Sequence, residues 1–203
     1  MILYEDSRAP NPRRVRIFLA EKSIEVERHE VEIMSKAHLR DDILGLNPFA
    51  GVPFLVLDDG QVISETIAIC RYFEELHPEP NLFGKGAVEI AMVEMWQRRI
   101  ELELFFKVAQ AFRHSNPYMA ELEVPQVPDW GAANFEKIDG ILETIDTVLE
   151  KHEFIAGDRY SVADITALVA IDFMRIIKKR IPEQYTNLIR WHTQVAARPG
   201  SVR

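Results

Sequence analysis

Cysteine is nearly absent from this sequence of 203 residues, which contains only Cys70. A single cysteine cannot form an intrachain disulfide, so we expect a reducing compartment and assign the protein to the cytoplasm. No C-x-x-C motif is present, which excludes a redox mechanism that uses two protein thiols. Cys70 itself lies inside a predicted helix beside Ile67 and Ala68. We therefore predict that it is a small core residue and not a nucleophile.

Long apolar runs and an excess of basic residues are also missing. No stretch approaches the roughly 20 apolar residues of a membrane span, and the opening M-I-L-Y-E-D-S lacks the features of a signal peptide. We expect no membrane partner and no leader. The 24 basic residues are outnumbered by 32 acidic ones, which argues against a nucleic-acid partner. Hydrophobic residues make up 47% of the chain, enough to bury a sizeable core.

The most informative stretch runs from Gly51 to Glu75 and reads G-V-P-F-L-V-L-D-D-G-Q-V-I-S-E-T-I-A-I-C-R-Y-F-E-E. Phe54–Leu57 is a short apolar run, and Gln61–Ile63 is a second one. The Asp-Gly pair ending at Gly60 lies between them and is a strong hairpin signal, because glycine adopts positive φ without a steric penalty. The stretch therefore predicts two antiparallel strands joined by a tight turn.

A helix is predicted directly after this hairpin, over Glu65–Leu76. Ser64 stands where an N-cap residue belongs, and Glu65 is an acidic residue in the first turn. The unpaired N–H groups at such a helix start favour an anion. The helical spacing predicts an inward face formed by Ile67, Ala68, Tyr72 and Leu76.

Pro53 precedes the first of these strands, where its missing N–H is tolerated. A cis Val52–Pro53 bond would turn the Val52 backbone outward, free to pair with an extended ligand. The sequence does not decide between cis and trans, and base rates alone favour an ordinary trans proline at the start of a strand.

The remainder of the N-terminal third predicts the order β-α-β-(α)-β-β-α, which is the thioredoxin-like arrangement. Ile2–Tyr4 is a short strand, and Asn11 followed by Pro12 predicts a helix start that Asn11 caps, with the helix running to about Lys22. Glu25–Ile33 alternates as a strand does. Ser35–Leu46 is predicted to be a loop with a short helix.

Beyond a Pro/Gly-rich segment at residues 78–86, the patterns are helical throughout. We predict helices at Ala87–Ala111, Gly131–Lys151, Val162–Lys178 and Leu188–Ala197. Ser161 and Asp164 form a capping-box pair at the start of the third of these helices. The fold class predicted from these patterns is an α/β thioredoxin-like N-terminal domain followed by an all-α helical bundle domain.

Two stretches resemble the glutathione S-transferase family. N-P-F-A-G-V-P-F-L-V-L-D-D-G-Q-V-I-S-E-T-I-A-I is similar to its glutathione-binding half, and F-I-A-G-D-R-Y-S-V-A-D is similar to the start of its buried core helix. The resemblance implies a glutathione-binding domain at 1–77, a linker at 78–86 and a helical domain at 87–203 with an electrophile-binding pocket. Apolar aromatic residues near the end of the first long helix are candidates for that pocket, although most are expected to be core.

The resemblance also implies which residues contact glutathione, namely Lys36, His38, Val52, Pro53, Glu65 and Thr66. The Glu65 carboxylate would bind the γ-glutamyl ammonium group, and the Thr66 hydroxyl and N–H would bind the neighbouring carboxylate. The Val52 backbone would pair with the cysteinyl residue, and Lys36 and His38 would contact the glycyl carboxylate. Each residue also has a purely structural interpretation, such as a solvated loop residue for Lys36 or a dipole-favouring residue for Glu65.

The loop before the first helix is where the family places its thiol chemistry. The serine or threonine of several classes corresponds to Ala9, which cannot donate a hydrogen bond. We therefore name Asn11 as the first candidate to stabilise a thiolate, as in classes that resemble the nu class, and Ser7 as the second. The structural alternatives are that Asn11 only caps the helix and that Ser7 is only a loop residue.

The function implied is a transferase that activates the thiol of glutathione for attack on an electrophilic small molecule, with glutathione as substrate and no metal. Alternatives are a glutathione-dependent disulfide reductase and a non-catalytic binding or regulatory protein with the same fold. The expected partners are glutathione, a hydrophobic electrophile or disulfide, and a second copy of the chain in a homodimer.

Overall fold

The computed structural model describes residues 1–198 and 200–201, and the chain divides into two compact units. Met1–Leu82 forms the first unit together with Gly200 and Ser201, and Phe83–Arg198 forms the second. The division falls inside the segment 78–86 that was predicted as a linker. Pro199 and residues 202–203, which the predicted helical domain includes, lie outside the described residues.

The first unit is a four-stranded mixed sheet with helices. Its elements are β1 (Ile2–Glu5), α1 (Pro10–Glu21), β2 (Glu27–Glu30), α2 (Asp41–Leu44), β3 (Phe54–Val56), β4 (Val62–Ser64) and α3 (Thr66–Leu76). The sheet order is β2-β1-β3-β4; β1 and β2 are parallel, and β3 is antiparallel to both β1 and β4. The thioredoxin-like fold predicted from the sequence is confirmed, although β2 is shorter than the alternating segment suggested.

Both predicted helix caps in this unit are wrong by one or two residues. Helix α1 begins at Pro10 with Ala9 as its N-cap, so Asn11 lies inside the first turn. Pro10 suits a first helical position as well as Pro12 does, because both fix φ near the helical value. Ser64 is the last residue of β4, paired with Phe54, and Glu65 takes the N-cap position of α3.

The buried face of α3 also differs from the predicted one. Ile69, Cys70 and Phe73 are buried, whereas Leu76 is 51% exposed. Both sets of residues have helical spacing, so spacing alone could not choose between them. Cys70 is a buried free thiol in this face, which confirms its prediction as a core residue.

The second unit is all-helical in its described part. Its helices are α4 (Gly86–Arg99), α5 (Phe106–Ser115), α6 (Pro128–Leu149), α7 (Val162–Phe173) and α8 (Thr186–Ala196). The predicted helix Ala87–Ala111 is interrupted by π-helical turns at Ile100–Phe105, which join α4 to α5. Val93, Ile100, Leu104 and Val108 are buried as the periodicity indicated, but Ile90 is 43% exposed.

Helix α7 is the core of this unit, and Asp164 fixes its N-terminus. The capping box of Ser161 and Asp164 is formed as predicted. The fully buried Asp164 carboxylate accepts further hydrogen bonds from the Ile155 N–H at 2.9 Å and from the Trp191 Nε1–H at 2.8 Å. Burial raises the pKa of this carboxyl above its usual value, and the hydrogen bonds oppose that rise. The carboxylate thus joins the loop at Ile155, helix α7 and helix α8.

Replacing Asp164 with alanine should lower the free energy of unfolding by about 3 kcal/mol or more, because several buried donors lose their acceptor at once. Chemical denaturation followed by circular dichroism measures this. Asp158→Ala is the matched control, since its side chain is exposed on the loop before α7 and forms an ion pair with His152 at 3.5 Å. Equal destabilisation by the two variants would contradict the structural role of Asp164.

Candidate active site

Four segments converge at one edge of the sheet in the first unit. Strands β1 and β2 are parallel and end together, at Glu5 and Glu30. Because Tyr4 pairs with Phe54 and Phe54 pairs with Ser64, β3 begins and β4 ends at this same edge. The candidate site residues therefore lie at this edge or on the segments that follow or precede it. They are Ser7, Asn11, Lys36, His38, Val52, Pro53, Glu65 and Thr66.

The start of α3 presents a carboxylate, a hydroxyl and open backbone N–H groups. Glu65 has φ 73° and ψ 125°, a region that non-glycine residues rarely adopt, and its side chain is exposed. No side chain caps α3, so the N–H groups of its first turn are not satisfied from that side. Thr66 is the first helical residue and is buried. A zwitterion could place its ammonium group at Glu65 and its carboxylate at the helix start.

Val52 and Pro53 lie next to this helix start, on the neighbouring strand. The Val52–Pro53 bond is cis, contrary to what base rates favoured. The Val52 side chain and Ala37 pack against one apolar cluster of Val31, Ile43 and Phe54. Within residues 1–198 and 200–201, the backbone N–H and C=O of Val52 take part in no hydrogen bond. These groups could pair with an extended peptide.

The start of α1 offers two donors, both from Asn11. Pro10 and Pro12 have no N–H, which leaves the Asn11 N–H as the open donor of the first turn. The Asn11 Oδ1 accepts a hydrogen bond from Arg14 Nη1 at 3.0 Å. Since a guanidinium only donates, this bond fixes the orientation of the amide. The side-chain NH₂ of Asn11 then faces away from Arg14.

Arg14 was missed by sequence analysis, although it sets the orientation of Asn11. It is a buried cation on α1, three residues after Asn11. The available signal was the pair Asn11 and Arg14 at i and i+3, a spacing at which helical side chains meet.

Ser7 is less suited to a thiolate than Asn11. Its hydroxyl donates to Glu30 Oε1 at 3.2 Å, and its N–H donates to the same oxygen at 2.9 Å. Its carbonyl accepts a hydrogen bond from Arg16 at 2.8 Å. The hydroxyl proton is thus directed at a carboxylate, whose negative charge would also repel a thiolate.

Lys36 and His38 lie after β2, on the turn that leads to α2. Lys36 adopts φ 61° and precedes a single 3₁₀ turn, Ala37–Leu39, which carries His38. The Lys36 side chain is exposed, and His38 is half-buried. Because Ala37 and Val52 pack against the same apolar cluster, this turn lies close to the start of β3.

Across residues 1–198 and 200–201, no group of three His, Cys, Asp or Glu side chains is arranged to hold a metal ion. No helix in this part of the chain is long and apolar enough to cross a membrane.

An open cavity of about 480 Å³ is formed by residues of the second unit. Its lining includes Ala111 on α5, Pro128 and Phe135 on α6, and Ile176 and Lys178 after α7. The aromatic candidates from the sequence do not line it. Phe105 is buried and Phe112 is half-buried, and both contact the Phe173 ring, at centroid distances of 6.3 and 5.6 Å. Phe106 and Tyr118 are instead 45% and 79% exposed.

A thioredoxin-like sheet with an uncapped helix start, joined to a helical unit, is the architecture of the glutathione transferases. The family model described as "Glutathione S-transferase, N-terminal domain" matches residues 9–76, and that described as "Glutathione S-transferase, C-terminal domain" matches residues 129–199. The chain therefore belongs to the glutathione S-transferase family, whose members are enzymes that use glutathione as a substrate.

Among its relatives, "Glutathione S-transferase 2" of Saccharomyces cerevisiae is 36% identical over 98% of this chain and 87% of that protein. A solved glutathione S-transferase domain-containing protein from Marinobacter aquaeolei VT8 has a TM-score of 0.96 and 38% identity, with all of both chains covered. The structure of Gtt2 from Saccharomyces cerevisiae has a TM-score of 0.94 and 35% identity, covering 99% of this chain and 98% of that one. This chain is thus similar to Gtt2 over nearly its whole length.

Proposed function

We propose that this protein is a cytoplasmic transferase that binds glutathione at the sheet edge, lowers the pKa of its thiol and directs the thiolate at an electrophilic small molecule. The observation that carries the proposal is the unsatisfied start of α3, where Glu65 and Thr66 stand beside the free backbone of Val52. An extended tripeptide with a zwitterionic end is complementary to this arrangement.

Glutathione would lie along the sheet edge, with its γ-glutamyl end at α3 and its glycyl end at the turn after β2. The Glu65 carboxylate takes the γ-glutamyl ammonium group, and Thr66 together with the N–H groups of α3 takes the adjacent carboxylate. The Val52 backbone pairs with the cysteinyl residue next to Pro53. Lys36 and His38 take the glycyl carboxylate, because they lie on the turn packed beside Val52.

The thiol would then lie at the start of α1. There it meets the positive end of the helix dipole and two donors from Asn11, the backbone N–H and the side-chain NH₂. Hydrogen bonds to the charged form of a group favour that form, so these donors lower the thiol pKa. The amide cannot accept the proton, which leaves to solvent.

We assign the apolar body of the electrophile to the cavity of the second unit. Its volume of about 480 Å³ is within the range of small-molecule sites, and its lining is largely apolar with a few polar groups. This composition favours a hydrophobic substrate over a highly polar one.

Family members are generally dimeric, and the second unit has a surface suited to a homodimer. Val88, Met92, Leu102 and Phe106 are exposed apolar residues spread along α4, the π-helical turns and the start of α5. Such a surface is unusual on a monomer and is typical of an interface. The partner proposed is a second copy of this chain.

Leu102→Glu should convert the dimer to a monomer, because Leu102 is 54% exposed and a buried unpaired charge at the interface is costly. Sedimentation velocity measures the mass directly. The matched control is Ile189→Glu on α8, an exposed residue away from α4 and α5. A wild type that sediments as a monomer would overturn the homodimer.

Asn11→Ala should raise the pKa of bound glutathione thiol by about 1 unit, since one charge-assisted hydrogen bond contributes roughly 1.5 kcal/mol or more. The backbone N–H remains, so the glutathione Kd should change little. The absorbance of the thiolate, followed against pH, gives the pKa. Ser7→Ala is the comparison variant. A thiol pKa that is unchanged in Asn11→Ala and raised in Ser7→Ala would transfer the role to Ser7.

Glu65→Ala should raise the glutathione Kd about tenfold or more, because it removes a charge-assisted hydrogen bond to the ammonium group. Calorimetric titration gives the Kd. Glu75→Ala, an exposed carboxylate near the end of the same helix, is the control and should leave the Kd unaltered. Equal affinities for both variants and the wild type would refute the proposed orientation of glutathione.

Titration of the wild type with glutathione, followed by thiolate absorbance, tests the proposal as a whole. Binding with a lowered thiol pKa and turnover of an activated aryl halide supports a transferase. Turnover of a glutathione mixed disulfide, with no turnover of the aryl halide, would indicate a disulfide reductase in place of a transferase. Binding without a pKa shift would overturn catalysis and leave a protein that only holds glutathione. No binding would leave a protein that retains only the fold.

A further inference from the structure

Asp6 is a buried carboxylate that none of the proposed steps uses. It follows β1 directly and is only 3% exposed. Its Oδ1 accepts a hydrogen bond from the Arg8 N–H at 2.9 Å, and its Oδ2 accepts one from the Ile33 N–H at 2.9 Å. Its backbone carbonyl accepts a third from the Ala9 N–H at 3.0 Å.

These bonds hold the two loops that carry the proposed thiol and carboxylate contacts. Arg8 and Ala9 lead directly into α1, where Asn11 lies. Ile33 is three residues before Lys36, on the segment that follows β2. One carboxylate therefore fixes the start of α1 relative to the segment that carries Lys36 and His38.

The start of α1 needs such external support because its N-cap residue cannot supply it. Ala9 has no polar side chain, and α1 has no side-chain cap. A capping side chain normally satisfies first-turn N–H groups and fixes the chain that enters the helix. Here Asp6 closes the turn that enters the helix. Its carboxylate accepts the N–H of Arg8, two residues later, and its carbonyl accepts the N–H of Ala9, three residues later.

Two exposed contacts connect the same segments. The Arg8 guanidinium donates to Glu32 at 2.6 Å, and Ser7 donates to Glu30. The hydrogen bond to Glu32, followed by the charge of Asp6, raises the pKa of Arg8 above its usual value. Exposed ion pairs contribute little rigidity in water. The pairing of β1 with β2 joins the two segments as far as the Val31 N–H and the Glu5 carbonyl. Beyond that point the buried carboxylate of Asp6 is the principal side-chain connection.

We propose that Asp6 is a positioning residue for the thiolate, which acts by fixing the start of α1 against the segment at Ile33. This inference rests on the proposed function, because it assumes that the thiol of glutathione lies at the start of α1. Asp6 does not touch the thiol in this proposal. It determines how well the Asn11 donors are aligned with the sulfur.

The sign of the effect separates positioning from simple electrostatics. A negative charge near the sulfur disfavours the thiolate, so removing that charge alone would lower the thiol pKa. Losing the alignment of the donors acts in the opposite direction and raises it. A variant that removes both the charge and one acceptor therefore reports which effect dominates.

Asp6→Asn tests the proposal, with Glu74→Gln as the matched control. Glu74 is also a buried carboxylate of the first unit, but it lies near the end of α3, where it pairs with Lys22 at 2.8 Å and accepts the Leu82 N–H at 3.1 Å. Both variants lose stability. With bound glutathione, Asp6→Asn should raise the thiol pKa by about 0.5 unit, which corresponds to the loss of a typical interaction between a charge and a helix terminus. Glu74→Gln should leave the thiol pKa unchanged.

A fall in the thiol pKa of Asp6→Asn, no change, or an equal rise in Glu74→Gln would overturn the proposal. If Asp6→Asn does not fold, Asp6→Glu decides: it keeps the charge and displaces the carboxylate, so positioning requires a raised thiol pKa and electrostatics requires none. The titration of the wild type with glutathione tests the proposed function independently of the Asp6 variants. A wild type that binds glutathione without lowering its thiol pKa overturns the proposed function itself, and the inference about Asp6 with it.

Discussion

The pairing of β3 with both of its neighbours is the constraint on which the candidate site depends. Phe54 is paired with Tyr4 on one side and with Ser64 on the other. This register places the residues before β3, the residues after β1 and the residues after β4 at the same edge. A shift of one residue would move Val52 away from Glu65 and turn the side chains of β3 to the opposite face. The strand register therefore determines which residues come together at the site, and their side chains then determine its chemistry.

Local signals in the sequence predicted much of this arrangement. The Asp-Gly turn gave the hairpin, and the capping box of Ser161 and Asp164 gave the start of α7. Both depend on residues within a few positions of each other, where backbone preferences decide the outcome. The order of elements and the two-part architecture followed from periodicity over longer windows.

Features that depend on distant residues could not be predicted in the same way. Ser7 remains a candidate donor, but its local sequence gave no sign that Glu30, 23 residues away, accepts a hydrogen bond from its hydroxyl. The inward face of α3 required knowledge of how the helix packs, because two stripes with the same spacing were available. Asn11 and Pro12 form a good local cap signal, yet α1 begins two residues earlier, at Pro10. In each case the competing interaction was equally compatible with the local sequence.

Acidic residues lie near the start of α1, where the thiolate is proposed to bind. Their negative charges disfavour a thiolate unless the carboxylates accept hydrogen bonds from other groups. Asp6 accepts two backbone N–H groups, Glu30 accepts from Ser7, and Glu32 accepts from Arg8. Each of these carboxylates is thus directed at a donor in the loop after β1 or in the segment after β2. Arg14 holds the amide oxygen of Asn11, so the Asn11 NH₂ faces away from Arg14. Hydrogen bonds of this kind hold a carboxylate in a fixed direction, and its repulsion falls off with distance and solvent screening. The donors of Asn11, in contrast, act at direct contact. A site with nearby carboxylates can therefore still favour a thiolate, provided that the alignment of the close donors is maintained.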